Sequence, residues 1–362
     1  MQNSRLIPLN KENFKQIFSK EFFLVIIVSV PGAMIAESFN LPLAWFLGPM
    51  IFTSLTSLLG FKTKMPNLAL SIVLILLGLY IGNYIDKSLF SQIHQWVWTS
   101  LIMFAYIVVC VLLVSKYLQK FSGYEKKTSI FSAAPGALGP LLILAESEKS
   151  DISQVATSHL IRLIIIITVF PFVVDNFYIQ EAASFEKNIV EPQNILDLFV
   201  LIFLSIIFIF LFDKIKVPAA LLSGTLVASG FLQLTEIASF EMPANLIDYC
   251  LLVLGSSVGC RFANKSFGEI AKNTVHSFVA TFFLVIFGII AAVFAGFVID
   301  KNFFTLLLSY CPGGIYEVAV IAIYFDLDPE FVAFHHIIRL LMILFFVPLL
   351  LRFFAKKNST YS

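Results

Sequence analysis

The sequence predicts an all-α membrane protein with about 10 transmembrane helices, arranged as two inverted five-span repeats. Three observations lead to this prediction. Hydrophobic residues make up 59% of the 362 residues and charged residues 13%, whereas a soluble domain has about 45–50% apolar and about 25% charged residues. Apolar runs of roughly 20 residues, long enough to cross a ~30 Å hydrocarbon layer as helices, recur along the chain. The two halves of the chain also repeat each other.

Ten apolar runs have the length and composition of membrane spans. They lie at 21–37, 41–60, 66–85, 96–117, 153–174, 194–212, 217–235, 243–261, 276–299 and 330–352. Two further apolar stretches, 128–146 and 303–324, are each interrupted by Pro-Gly. Each arm of such a stretch is about ten residues, or ~15 Å of helix, which is half of a bilayer. We therefore expect a re-entrant hairpin in each repeat.

The duplication is carried by residues that chance matching of apolar strings would not align. At an offset of 177 residues, the stretch from Pro135 to Pro171 aligns with Pro312 to Pro348 without a gap. A repeat of this length indicates that each half is one structural unit. Identical positions include Pro135, Gly136, Ala145, Asp151, Val155, Ala156, His159, Ile161, Arg162, Leu163 and Pro171.

The positions of lysine and arginine favour inverted repeats, because these residues are enriched in cytoplasmic loops. Ten spans with a cytoplasmic N-terminus place 19 of the 24 basic residues inside, 3 outside and 2 in the membrane; twelve spans would place 15 inside and 7 outside. The predicted divisions are a cytoplasmic segment 1–20, repeat 21–175, an extracytoplasmic linker 176–193, repeat 194–354 and a cytoplasmic tail 355–362. We expect a bacterial inner-membrane protein with both termini in the cytoplasm.

The predicted binding residues surround the two Pro-Gly breaks. A helix that restarts after a break points free N–H groups and the positive end of its dipole at the break, which suits an anionic group. Arg162 and Arg339 are equivalent at the 177-residue offset, and each lies near the centre of a span, where a charge needs a partner or a cavity. They could coordinate an anion or cap the carbonyl groups of the broken helix. The candidate substrate-binding residues are Pro135, Gly136, Ala137, Arg162, Pro312, Gly313, Gly314, Glu317 and Arg339.

Three histidines and one carboxylate are candidates for a proton relay. His159, His335 and His336 lie within one helical turn of the arginines, and Glu317 follows the second break. The histidines could instead form hydrogen bonds within the helix bundle, and Glu317 could neutralise an arginine. The first-half counterpart of Glu317 is Pro140, so its role would be asymmetric.

Several function classes are not supported. The net charge of +1 gives no reason to expect nucleic-acid binding. We see no nucleotide-binding loop, nucleophile elbow or zinc motif, and the histidines lack carboxylates at ligand spacing. We therefore expect no metal, no cofactor and no enzymatic activity. The expected partners are the lipid bilayer and a small-molecule solute, and a homodimer is left open.

One set of motifs in the second half of the chain is echoed in the first half. The second half has Pro312-Gly313-Gly314-Ile315-Tyr316-Glu317, Asp328-Pro329-Glu330-Phe331-Val332-Ala333, His336 and Arg339, and the first half has Pro135-Gly136-Ala137-Leu138, Asp151, Val155-Ala156, His159 and Arg162. With these motifs the chain resembles the membrane AbrB family, a duplicated family that is unrelated to the DNA-binding regulator of the same name. The resemblance implies kinship with inverted-repeat secondary transporters, and members are often labelled ammonia monooxygenases or regulators of gene expression. This chain lacks a ligand set for oxygen chemistry, so we do not expect a monooxygenase.

Two functions remain as predictions from the sequence. The first is a secondary transporter that carries a small anionic or zwitterionic solute past the two breaks by alternating access. The second is a membrane sensor that affects regulation of gene expression without moving a solute.

Overall fold

The computed structural model is helical throughout the residues that it describes. These are residues 11–85, 87, 89–136, 138–178, 195–237, 244–263, 265 and 267–359. Every regular element among them is an α-helix, which confirms the predicted all-α class. The predicted linker, 176–193, lies almost wholly outside the described residues, as do the first ten residues of the N-terminal segment.

In the part of the chain that the structure describes, eight helices belong to the first half and seven to the second. The first eight are α1 Lys11–Ile17, α2 Lys20–Ser38, α3 Ala44–Leu58, α4 Asn67–Gly82, α5 Leu89–Ser122, α6 Lys126–Ala133, α7 Leu138–Ser147 and α8 Ile152–Phe177. The other seven are α9 Ile195–Lys214, α10 Ala220–Thr235, α11 Ala244–Cys260, α12 Phe267–Gly296, α13 Phe303–Tyr310, α14 Ile315–Tyr324 and α15 Pro329–Ser359.

Within the described residues, six helices are long and apolar enough to cross a membrane: α2, α5, α8, α9, α12 and α15. Six shorter apolar helices accompany them: α3, α4, α7, α10, α11 and α14. The outward surfaces are strongly apolar; on α9, for example, Phe199, Phe203 and Phe210 are all more than half exposed. A soluble protein rarely exposes apolar patches of this size, whereas hydrocarbon accommodates them. The chain is therefore a multi-pass helical membrane protein.

The chain divides into two compact units. Unit 1 comprises residues 1–91, 171–267 and 319–330, and unit 2 comprises residues 92–170, 268–318 and 331–362. Each unit takes residues from both halves of the sequence. Unit 2 contains every predicted site residue.

In unit 1, helices of one half pack closely on helices of the other through paired glycines. A Cβ at Gly82 on α4 would lie 2.6 Å from the carbonyl oxygen of Leu226 on α10. Gly259 on α11 is the equivalent residue, and a Cβ there would lie 3.0 Å from the carbonyl oxygen of Met50 on α3. Gly78 and Gly255, one turn earlier, make the corresponding close contacts with α10 and α3. The G-x-x-x-G spacings therefore serve close helix packing within the chain, as small residues do in membrane proteins.

These helix pairs run parallel. Along α4, Gly78 contacts Leu222 and Gly82 contacts Leu226, so the residue numbers rise together on both helices. An exposed ion pair joins the ends of this pair, with 2.6 Å between Lys87 Nζ and Glu236 Oε1. The Lys87 ammonium group holds the pKa of the Glu236 carboxyl below its usual value.

In unit 2, the start of α6 lies beside the end of α7. Lys127 Nζ on α6 is 2.7 Å from Glu148 Oε2, just after α7, and it also donates to the Glu148 carbonyl. Thr128 Oγ1 accepts a hydrogen bond from the backbone N–H of Asp151, which precedes α8. Asp151 Oδ1 in turn accepts from the N–H of Gln154 and so caps α8, as its position before the span predicts. The two ends of the segment from Lys127 to Glu148 therefore lie next to each other.

Candidate functional site

The Pro-Gly sequences at Pro135 and Pro312 each separate two short helices. The first lies between α6 and α7, and the second between α13 and α14. Ala134 and Cys311, the residues before the prolines, have extended backbones with ψ of 127° and 131°. The proline ring disfavours the helical conformation in the residue before it, which explains why both helices end there. We call residues 134–136 the first tip and residues 311–314 the second tip.

Arg162 on α8 caps the end of α6. The side chain is buried, its Nη1 donates to the carbonyl oxygen of Ala134 at 2.6 Å, and its Nη2 donates to the carbonyl oxygen of Ser132. The last carbonyl groups of a helix have no partner within the helix. Arg162 satisfies two of them and places a cation where the helix dipole is negative.

Arg339 on α15 caps the end of α13 through one carbonyl group and bonds a second one within the second tip. Its Nη1 donates to the carbonyl oxygen of Cys311, and its Nη2 donates to the carbonyl oxygen of Gly313 at 2.6 Å. Cys311 is the equivalent of Ala134 at the 177-residue offset, so this bond is repeated in the two halves. The sequence left carbonyl capping and anion binding open for both arginines. The structure shows the capping bonds, and anion binding stays a prediction.

Arg339 also contacts the first tip. A Cβ at Gly136 would lie 2.9 Å from Nη2 and 3.2 Å from Nε of Arg339. Gly136 has a φ of +99°, a conformation that side chains with a Cβ rarely adopt. Both the contact and the dihedral angle therefore require glycine. The neighbouring Ala137 lies outside the described residues.

The Nε atoms of both arginines lack a hydrogen-bond partner in the part of the chain that the structure describes. Arg162 is 2% exposed and Arg339 is 1% exposed, so bulk water does not compensate them. A buried charged donor without an acceptor is unfavourable.

His159 and His336 bind equivalent carbonyl groups in the two halves. His159 Nε2 is 2.9 Å from the carbonyl oxygen of Phe131 on α6, and His336 Nε2 is 2.9 Å from that of Leu308 on α13. His336 Nδ1 lies 3.0 Å from Arg339 Nη2. A guanidinium group can only donate, so Nδ1 accepts and the proton is on Nε2. His336 is therefore a neutral imidazole that holds Arg339 in place.

His335 belongs to a different cluster. Its Nδ1 is 2.9 Å from the carbonyl oxygen of Phe331 and its Nε2 is 2.9 Å from Thr99 Oγ1 on α5. Tyr310, at the end of α13, donates to the Thr99 carbonyl at 2.7 Å. Neither Thr99 nor Tyr310 could be predicted as a partner from the sequence, because neither stands in a motif and Thr99 is far from His335 in the sequence.

Glu317 lies at the start of α14. Its carboxylate folds back on Gly314, where a Cβ would be 2.9 Å from Glu317 Cδ and would overlap Oε2. The carbonyl of Gly314 accepts the first hydrogen bond of the helix, from Val318, which makes Gly314 the N-cap and Glu317 the third helical residue. A glutamate at this position interacts favourably with the positive end of the helix dipole, and its side chain can reach back to the N-cap.

The family model described as "Transition state regulatory protein AbrB" matches residues 3–86 and 45–355 of the chain. The chain belongs to the AbrB family. The resemblance that the sequence motifs suggested is therefore confirmed.

Two relatives cover most of this AbrB-family chain. "Uncharacterized protein YhjN" of Bacillus subtilis (strain 168) is 19% identical over 346 residues, which span 89% of this chain and 90% of that protein. "Putative regulator AbrB" of Escherichia coli (strain K12) is 24% identical over 330 residues, which span 88% of this chain and 93% of that protein. The AbrB-family chain is similar to both along nearly its whole length.

The structure of this AbrB-family member brings most predicted site residues together. Arg339 contacts both tips, His336 and, through the second tip, the start of α14. His335 instead faces α5 through Thr99. Among the described residues, no group of three or more His, Cys, Asp or Glu side chains is placed to hold a metal ion.

Proposed function

We propose that this AbrB-family chain is a secondary transporter that moves a small anionic or zwitterionic solute by alternating access. The observation that carries the proposal is that two broken helices end against one buried arginine, Arg339. Broken helices of this kind form the binding sites of many inverted-repeat transporters. Irregular backbone at membrane depth is tolerated only where protein or a water-filled cavity satisfies it. We propose no catalytic step.

The proposed topology has ten spans, with the second repeat inverted relative to the first. It is supported by the parallel packing of α4 on α10, because both helices would then run from inside to outside. Twelve spans would make them antiparallel. The pair of Lys87 and Glu236 supports the same topology, since twelve spans would put these residues on opposite sides of the membrane.

The re-entrant hairpin of the first repeat is supported by the pair of Lys127 and Glu148. If α6 and α7 together crossed a ~30 Å hydrocarbon layer, these side chains could not meet. We infer that both lie at the cytoplasmic face of a bacterial inner membrane, together with both termini of the chain.

Flux into sealed vesicles tests transport. We expect the full chain in proteoliposomes to accumulate at least one solute from a defined mixture of isotope-labelled carboxylates, phosphate and amino acids, measured by mass spectrometry. Arg339→Ala should reduce that flux at least tenfold while the protein still inserts, because the two tips lose their common contact. Arg352→Ala, an exposed arginine on the same helix, is the matched control and should transport normally.

Two results would count against this proposal. Binding of a solute without flux would favour the membrane sensor, for which the printed name of the Escherichia coli relative offers slight support. Unchanged flux in Arg339→Ala would remove the arginine from the mechanism.

A further inference from the structure

The second tip carries its own carboxylate. Glu317 is 2% exposed and folds onto Gly314, at the positive end of the α14 dipole. A carboxylate placed there accepts free N–H groups at the start of the helix and compensates the dipole. The N-terminus of α14 is therefore already occupied by an anion.

The first tip has the equivalent helix start but lacks the carboxylate. Pro140 on α7 stands where Glu317 stands on α14, at the third helical position. The backbone N–H groups of Leu138 and Gly139 at this helix start have no partner within the helix. Gly139 and Pro140 are exposed, and a Cβ at Gly139 would meet no atom within 4 Å, so the start of α7 is open on this side.

A buried and unpartnered donor faces this first tip. Nε of Arg339 lies 3.2 Å from where a Cβ of Gly136 would be, just before α7, and has no hydrogen-bond partner among the described residues. An N–H of a guanidinium group is a strong donor to a carboxylate.

The balance of buried charges also points to an anion. The buried charged side chains in the described ranges are Arg162, Arg339 and Glu317, which leaves one positive charge in excess. A buried cation without a counter-ion is costly, so binding of one negative charge is favoured.

We propose that the N-terminus of α7, beside Nε of Arg339, binds a carboxylate group of the transported solute, in the place that Glu317 fills at α14. The inference rests on the proposed function and names its substrate class. Glu317 shows which chemistry the equivalent site takes, and a single carboxylate balances the single excess charge. We call residues 136 and 138–140, with Arg339, the carboxylate site.

A substitution that supplies the missing carboxylate tests the proposal. In Pro140→Glu the new glutamate side chain would occupy the carboxylate site. In Pro140→Gln the side chain has the same shape as glutamate but no charge. Replacing Pro140 adds a backbone N–H that proline lacks, at a helix position where this group has no partner within the helix, and it does so equally in both variants. The probes are sodium acetate, lactate, succinate, glutamate and phosphate, each compared with sodium chloride at the same ionic strength, and the measurement is the melting temperature of the purified full chain in detergent.

We expect at least one of the four carboxylates to raise the melting temperature of the parent chain and of Pro140→Gln by about 2 °C or more at saturation. Pro140→Glu should lose this response. If Pro140→Glu does not insert, Gly139→Glu and Gly139→Gln make the same comparison at a position with open space for a side chain.

The proposal is overturned if phosphate alone stabilises the chain, if none of the four carboxylates does, or if the glutamate variant responds like the glutamine variant. Its failure is distinguishable from failure of transport. If carboxylates stabilise the chain but no flux is measured, the carboxylate site stands and the proposal of transport is wrong. If flux is measured and Pro140→Glu does not change it, the proposal of transport stands and the carboxylate site is wrong.

Discussion

A guanidinium group offers five N–H donors in one plane, and each buried arginine uses two nitrogens on carbonyl groups at the end of a broken helix. Lysine could place a charge there but could not span two carbonyls in a fixed plane. His336 adds an acceptor and fixes the orientation of Arg339. At the residue scale, the breaks are therefore held together by side chains from the long helices α8 and α15.

Gly136 is a residue whose replacement should be poorly tolerated, for two separate reasons. Gly136→Ala adds the strain of a positive φ, about 1–2 kcal/mol, and forces a Cβ against the Arg339 side chain, which costs about 1–3 kcal/mol more. We expect thermal unfolding of the purified chain to show a clearly lower melting temperature.

Gly60→Ala is the matched control for Gly136→Ala. Gly60 has a φ of +91°, but a Cβ there meets nothing within 4 Å, so this variant carries the strain alone. Equal losses in the two variants would mean that contact with Arg339 adds nothing.

Part of the site could be predicted from the residue types. Pro, Gly, His and Arg at matched positions indicated both tips and both arginines, and the position of Glu317 after a Gly-Gly break is typical of a helix start. The bond of His335 to Thr99 could not be predicted, because one sequence contains no information on contacts between residues so far apart. The bonds of Arg162 and Arg339 to carbonyl groups could not be predicted either, because the sequence left carbonyl capping and anion binding open, and anion binding stays a prediction.

At the scale of elements, hydrophobic length indicated where helices occur but not how far they extend. Residues 96–117 were predicted as one span, whereas α5 runs from Leu89 to Ser122, because polar residues continue the helix beyond the apolar run. The short helix α1 lies in the segment predicted only as N-terminal. Helices of one half pack on helices of the other, α4 on α10 and α3 on α11. The glycine contacts show this pairing, and no periodicity in the sequence predicts it.

Close packing of α4 on α10 should depend on Gly82. Gly82→Ala places a Cβ 2.5 Å from Ser229 Cβ and 2.6 Å from the Leu226 carbonyl oxygen, so the two helices must separate. We expect a loss of about 1–3 kcal/mol, measured by thermal unfolding in detergent.

Gly296→Ala on α12 controls for the gain in helix propensity. A Cβ there meets only Leu306 Cδ1 at 3.6 Å, an ordinary contact, so this variant should be neutral or more stable by about 0.5–1 kcal/mol. A Gly82→Ala variant as stable as Gly296→Ala would contradict the role given to the packing of α4 on α10.

At the scale of the whole molecule, equivalent residues in the two halves make equivalent contacts. The bond of Arg162 to Ala134 is matched by that of Arg339 to Cys311, and the bond of His159 to Phe131 by that of His336 to Leu308. The duplication was visible in the sequence because charged residues in apolar segments are rare and costly and proline interrupts a helix, so chance would not align them. The departure at Pro140 and Glu317 is what makes the two tips chemically different.

The central claim is that the broken segments turn back within the membrane, so that the two repeats are inverted. Single cysteines at Lys127, Glu148, Lys87 and Glu236, labelled with a membrane-impermeant maleimide in intact cells and in inverted vesicles, test it most directly, with the parent chain as background. We predict that positions 127 and 148 react only from the cytoplasmic side and positions 87 and 236 only from the outside. Reaction of 127 and 148 from opposite sides, or of 87 and 236 from opposite sides, would contradict the account.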